Sequence, residues 1–235
     1  MQLAPVYPLL YKVLKPAFPG CLWSGRSDVK AIALTIDDGP HPTHTLPLLK
    51  VLDDYQIQAN FFWLGVCVQR FPEIARTVWQ RGHWIGLHGY DHRSFPQLSS
   101  GALQQSLVTT QQAIAQSCQL SFTEAQHRIR DVRPPNGLFL PQTLSDLERW
   151  NYRPVMWSVV PEDWVRPGIE VAARRILSQV QNGSLIVLHD GCCGGEDVAA
   201  IAASVIPRLL QQGYQFVSID ELWQQRLSSL PSRTK

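Results

Sequence analysis

Two aspartates stand side by side at Asp37 and Asp38, directly after the apolar run AIALTI at 31–36. Adjacent carboxylates repel unless a cation or a proton separates their charges. Ligands for a cation are at hand in His88 and His92, four apart in HGYDH, where a helical turn would bring both imidazoles to one side. Asp38 with His88 and His92 forms a two-histidine, one-carboxylate set. Such a set leaves coordination positions open, as a catalytic metal site does. Either histidine alone reads as a hydrogen-bonded residue near a strand end; beside the paired aspartates they read together as ligands.

Asp37 is then free to act as a base towards a water whose pKa the cation lowers. The plainer alternative is that it caps the turn at Gly39-Pro40. Arg133, in RPPNG, is a candidate to hold Asp37 ionised and oriented, or else a surface arginine before a turn. His189, in IVLHDG, ends a run too apolar for a surface strand and supplies the general acid that an amine leaving group needs. Water, base, electrophile and acid together describe metal-assisted hydrolysis of an amide or ester.

These residues need elements that bring them to one face. Short apolar runs at 31–36, 60–65, 84–88, 154–160, 184–189 and 214–219 are predicted strands, separated by segments with apolar residues at three- and four-residue spacing. Three of those segments end in Gly82, Gly183 and Gly213, where helix C-caps are expected. Alternating strands and helices give an α/β fold with a parallel sheet, either doubly wound or closed into a barrel. In a barrel the loops after the strands share one face, so Asp37, Asp38, His88 and His189 would converge there.

The chain has 235 residues, 45% of them hydrophobic, enough for one large domain. It divides into an extension over 1–27, a short helix packed on the domain, a catalytic domain over 28–225, and a frayed tail over 226–235. A net charge of +2 with scattered cations excludes the basic stripe that nucleic acid demands. Five cysteines, without metal-finger spacing, fit a reduced compartment better than a disulfide framework. Prolines and lysines break the apolar N-terminal segment, which reads neither as a cleavable signal nor as a membrane span. A cytoplasmic location is favoured, with envelope association the other reading. Cys192 and Cys193, close after His189, read as buried spectator thiols, and Trp63, Trp84 and Trp157 as core.

Over nearly all of residues 30–225 the chain resembles the NodB-type polysaccharide deacetylases, carbohydrate esterase family 4. The motifs TIDDGP, HGYDH, RPPNG, the DW of VVPEDW, and IVLHD follow in the family's order. The resemblance implies a distorted (β/α) barrel and the removal of N-acetyl groups from N-acetylglucosamine-containing polysaccharide, chitin-like or peptidoglycan. It implies Asp37 as base, His189 as acid, and one divalent metal ion, usually zinc, on Asp38, His88 and His92. It further implies that Arg133 orients Asp37, that a backbone N–H near Asn136 stabilises the oxyanion, that Asp163 tunes the acid, and that Asp163 and Trp164 line the groove. Trp164, in a loop after a strand, suits stacking on a sugar ring.

This chain departs from the pattern at Ile36 for Phe, Gly89 for Ser or Thr, Asn136 for Tyr and Val160 for an acidic residue. Gly89, directly after the first metal histidine in HGYDH, removes a hydroxyl that could support the ligands, implying a weaker metal site. Other readings are a deacylase of a smaller amide or O-acetyl ester, a non-catalytic carbohydrate-binding relative, and a non-haem iron oxygenase, whose chemistry leaves Asp37 and His189 without a task.

Overall fold

The computed structural model describes residues 6–228. The strands are β1 (Ala31–Asp37), β2 (Asn60–Trp63), β3 (Trp84–Leu87), β4 (Asp131–Val132), β5 (Arg153–Pro154), β6 (Leu185–His189) and β7 (Gln215–Phe216). The helices are α1 (Tyr7–Ala17), α2 (Thr45–Asp54), α3 (Gly65–Arg70), α4 (Pro72–Gln80), α5 (Ser100–Cys118), α6 (Phe122–Arg128), α7 (Pro141–Arg149), α8 (Ile169–Gln179), α9 (Val198–Gln211) and α10 (Ile219–Ser228). All strand pairs are parallel, in the order β5-β4-β3-β2-β1-β6, with β7 against the first residues of β1.

The sheet curls into an incomplete barrel. Beyond β5 the chain makes only single bridges, Val155 to Leu22 and Val159 to Ile186 of β6, in place of a continuous strand. The apolar run at 154–160 is therefore not the strand its composition predicts. Ser158 and Val159 both donate their N–H to the Leu185 carbonyl, two residues against one, which bends the chain out of regular pairing. This is the distortion that the family resemblance implies.

Strand alternation builds the core. Ile32, Leu34 and Ile36 of β1 join the large cluster under the helices, whereas Ala33 faces the barrel interior with Phe62, Leu185 and Val155. Ile36 is fully buried, so the aliphatic residue there is a packing choice. Trp223 and Leu222 of α10 close the interior. Asp131, also fully buried, accepts from the Trp84 and Trp223 indoles and from Arg153.

Several element boundaries differ from those read in the sequence. The run at 60–65 stops at Trp63 because Gly65 opens α3. The run at 214–219 gives only two strand residues before a capping box, in which Ser218 and Glu221 satisfy each other's N–H, starts α10. Gly82 and Gly213 follow helix ends at φ +80° and +82°, as C-cap glycines do, but Gly183 lies four residues beyond Gln179 in a separate turn. Residues 226–228 are the last turn of α10 and not a frayed tail; the tail's remainder, and residues 1–5, lie outside the described residues. Tyr7, Tyr11, Leu14 and Phe18 pack α1 and its end against the cluster of Cys21, Trp23, Met156 and Trp157. No helix among the described residues is long and apolar enough to cross a membrane.

Candidate active site

At the C-terminal end of β1 the two aspartates part. Asp37 is the last strand residue, paired in register with His189 of β6 and with Phe62 of β2, and is only 3% exposed. Alternation turns its side chain to the barrel interior, on the side of Thr35 and away from Ile36. Asp38 leaves the strand at φ +77°, a conformation that swings its carboxylate away from its neighbour's. Two adjacent residues thus present carboxylates to different partners.

Arg133, directly after β4, is 1% exposed and is the partner of Asp37. One guanidinium nitrogen donates to Asp37 Oδ1 at 2.6 Å and to Thr35 Oγ1 at 2.7 Å, and the other to the Met156 carbonyl at 2.8 Å. The guanidinium also lies over the Phe62 ring at 4.2 Å. Burial pushes the Asp37 carboxyl up, but the charges of Arg133, His88 and His189 outweigh it and hold the group below the usual carboxylate range. Arg133 is no surface residue, and Asp37 does more than cap a turn.

His88 Nδ1 lies 2.7 Å from the Arg133 carbonyl, an acceptor only, which assigns the ring proton to Nδ1 and leaves a lone pair on Nε2. That Nε2 and the Nε2 of His92 lie 3.4 and 3.3 Å from Asp38 Oδ1. Burial holds His88 below its ordinary pKa and so favours the neutral, ligating form. Asp38 Oδ1 is buried with no hydrogen-bond donor among the described residues. One ligand atom from each residue falls within a 4.8 Å set. An orphaned carboxylate oxygen beside two imidazole nitrogens is what a divalent cation would satisfy, so the donor set fits a metal.

The helical turn predicted at His88–His92 is absent. The segment is a loop with Gly89 at φ +82° and His92 at φ +62°, and those two left-handed residues bring the imidazoles together. Hydroxyls from α5 hold it: Thr110 donates to the Gly89 carbonyl and Ser106 accepts from the Tyr90 N–H. A side-chain hydroxyl at position 89 is not what fixes this loop.

Across the cavity, Asp163 accepts twice from one residue, at 2.7 Å from the His189 N–H and 2.9 Å from its Nδ1. Burial opposes the charged imidazole, but Asp163 overrides it and lifts His189 to about 10. Trp164 packs its ring edge to His189 at 5.0 Å. Asn136 sits at φ +58° after β4 and lines the same cavity, its amide donating to Ser94.

All nine predicted site residues except Asp163, which stands behind His189, line one cavity of about 550 Å³. Trp157 and Val160 line it as well, so Trp157 is both core and wall. Cys192 and Cys193 are exposed at this cavity, not buried as the sequence suggested, because they fall in the turn after β6. Sequence reasoning missed Asp190. It is fully buried, accepts from Thr45 Oγ1 at 2.5 Å, donates its N–H to the Asp37 carbonyl and is pushed up to about 7, chiefly by burial. A carboxylate directly after a strand-end histidine was the available signal.

A family model for polysaccharide deacetylase matches residues 24–155. A peptidoglycan-N-acetylglucosamine deacetylase of Bacillus cereus is 32% identical over 216 residues, covering 91% of this chain and 97% of the relative. A chitooligosaccharide deacetylase of Azorhizobium caulinodans is 34% identical over 162 residues, 69% of this chain and 74% of the relative. The structure of Bacillus subtilis PdaA, a family 4 carbohydrate esterase, superposes with a TM-score of 0.80 at 26% identity, over 92% of this chain and 89% of that one. The ordered motifs, the incomplete parallel barrel and these matches agree: the chain belongs to the polysaccharide deacetylase family.

Proposed function

We propose that the protein hydrolyses N-acetyl groups on N-acetylglucosamine units of a polysaccharide or oligosaccharide, peptidoglycan or chitin-like. The parting of Asp37 from Asp38, one to Arg133 and the other to two imidazoles, carries this reading. Asp38, His88 and His92 would hold one divalent cation, zinc being the one that the family resemblance implies. When bound there, the cation supplies Lewis acidity to the acetyl carbonyl and lowers the pKa of water.

Asp37, kept ionised by Arg133, takes the proton of the attacking water. His189, kept protonated by Asp163, delivers a proton to the departing amine, without which the C–N bond does not break. A backbone N–H near Asn136 would stabilise the oxygen on which charge accumulates, a contact worth roughly 3 kcal/mol where such a donor has been removed. Trp164 and Val160 offer an apolar wall to the acetyl methyl and the sugar face. Both glycan classes among the relatives remain in the proposal.

Acetate release from N-acetylglucosamine oligomers, peptidoglycan and O-acetylated esters, measured after chelation and after zinc return, tests it. The expected result is zinc-dependent release from the N-acetylated glycans. Release only from a small amide or ester, or glycan binding with no release at any metal loading, would replace it.

A further inference from the structure

We infer that Tyr7, carried by the helix that precedes the barrel, is a sugar-contacting residue which extends the catalytic cavity to a second pyranose unit. The inference rests on the carbohydrate reading of that cavity. Tyr7 is half-buried on α1 and lines the same cavity as Asp37, Asp38 and His189. Its ring stands edge-to-face on Trp157 at 5.4 Å and 88°, and on Trp164 at 6.2 Å and 85°. Trp164 in turn reaches His189. A continuous aromatic wall therefore runs from the acid to α1.

The geometry sets Tyr7 apart from a packing residue. α1 has two apolar stripes: Tyr7, Tyr11, Leu14 and Phe18 against the protein, and Leu9 and Val13 outward, 62% and 59% exposed. Tyr7 is the one of the inward four that lines the cavity. Its hydroxyl makes no hydrogen bond to any described residue, although Tyr11 accepts one from Lys15. Burial, with the Glu162 charge adding, raises the phenol's pKa, so the hydroxyl remains a donor. A ring held by two indoles and a free O–H beside them match the apolar face and hydroxyl rim of a pyranose. With Val160 and Tyr7 the cavity wall is apolar and aromatic on this side, which favours contact through the sugar's C–H face.

The test uses the full-length, zinc-loaded protein with the N-acetylglucosamine tetramer. Binding is read by quenching of tryptophan fluorescence and turnover by acetate release. Tyr7→Ala is expected to weaken tetramer binding and raise KM roughly tenfold, the size of one aromatic contact, with kcat within about twofold and zinc content unchanged. Tyr7→Phe should recover most of the loss, since the ring remains. Leu9→Ser, on the outward stripe of the same helix, should leave binding and turnover as in the wild type. Tetramer binding within about twofold of wild type in Tyr7→Ala overturns the inference, as does an equal loss in Leu9→Ser, which would mean that α1 matters only as a whole. Tetramer binding without acetate release overturns the hydrolase reading alone. Absence of binding by the wild type overturns both.

Discussion

Replacing Arg133 by Met should unseat the base and weaken the fold together. In the wild type this buried guanidinium makes three hydrogen bonds, to Asp37, Thr35 and the Met156 carbonyl, and lies over Phe62. Methionine keeps most of the packing on Phe62 but leaves Asp37 as a buried carboxylate without its cation. Removing one member of a buried ion pair costs about 3–5 kcal/mol, because the other charge stays behind unpaired. At roughly 2–4 °C per kcal/mol for a chain of this size, the melting temperature should fall by about 10 °C. Burial is the largest influence on Asp37 and pushes its pKa up; without Arg133 only the charges of His88 and His189 oppose it, so the pKa rises. The acidic limb of kcat/KM should then move to higher pH, and activity near neutrality should drop by about 10²-fold or more, the usual size of a base's contribution. Arg133→Lys keeps the charge without the planar fork and should fall between the two. Thermal melts and pH–rate profiles on the three proteins give the answer. A Met variant that melts within about 2 °C of wild type and keeps its pH profile would refute the pairing argument.

His189 predicts a pH-dependent stability in the chelated protein. Its folded pKa of about 10 lies above the ordinary histidine value, near 6.5. The stabilisation is therefore complete below pH ~6.5 and lost as pH rises through about 10; urea unfolding across this window should show the decline, and Asp163→Asn should flatten it. An unchanged slope in that variant would mean that other groups titrate. The exposed Cys192 and Cys193 should react with maleimide before Cys21 and Cys118, whose thiols burial pushes up to about 12. Labelling should block the cavity and acetate release, and first adducts on Cys21 or Cys118 in mass spectra would contradict the assigned exposure. Gly89→Ser restores the family hydroxyl but places a side chain at φ +82°, at a cost of about 1–3 kcal/mol. Calorimetry should show a less stable protein with no gain in zinc affinity; a tighter zinc site would show that the loop lacks that hydroxyl.

The chemistry was legible where strand ends are legible. Asp37 follows the apolar run at 31–36 and His189 ends the one at 184–189, and those runs pair in register, so reading the strands placed both residues together. Arg133 was readable by type but not by burial, since β4 before it has two residues and leaves no periodic trace. His88 and His92 were identified with the wrong local shape. Four-residue spacing suggests a helical turn, whereas φ +62° at a histidine is imposed by the surrounding loop and not by its own preference. The barrel's closure was hidden for a similar reason: two N–H groups converging on the Leu185 carbonyl depend on tertiary packing. Asp190 looks in sequence like a turn residue, and only the fold shows it buried behind Asp37.

The division of labour between the adjacent aspartates is tested most directly by measuring bound zinc and acetate release in parallel for the wild type, Asp37→Asn and Asp38→Asn. Asp37→Asn should keep about one zinc ion per chain and lose roughly 10²–10⁴-fold in turnover. Asp38→Asn should lose the metal and, with it, the activity. Wild-type turnover in Asp37→Asn, or a zinc site that survives in Asp38→Asn and fails in Asp37→Asn, would contradict the assignment.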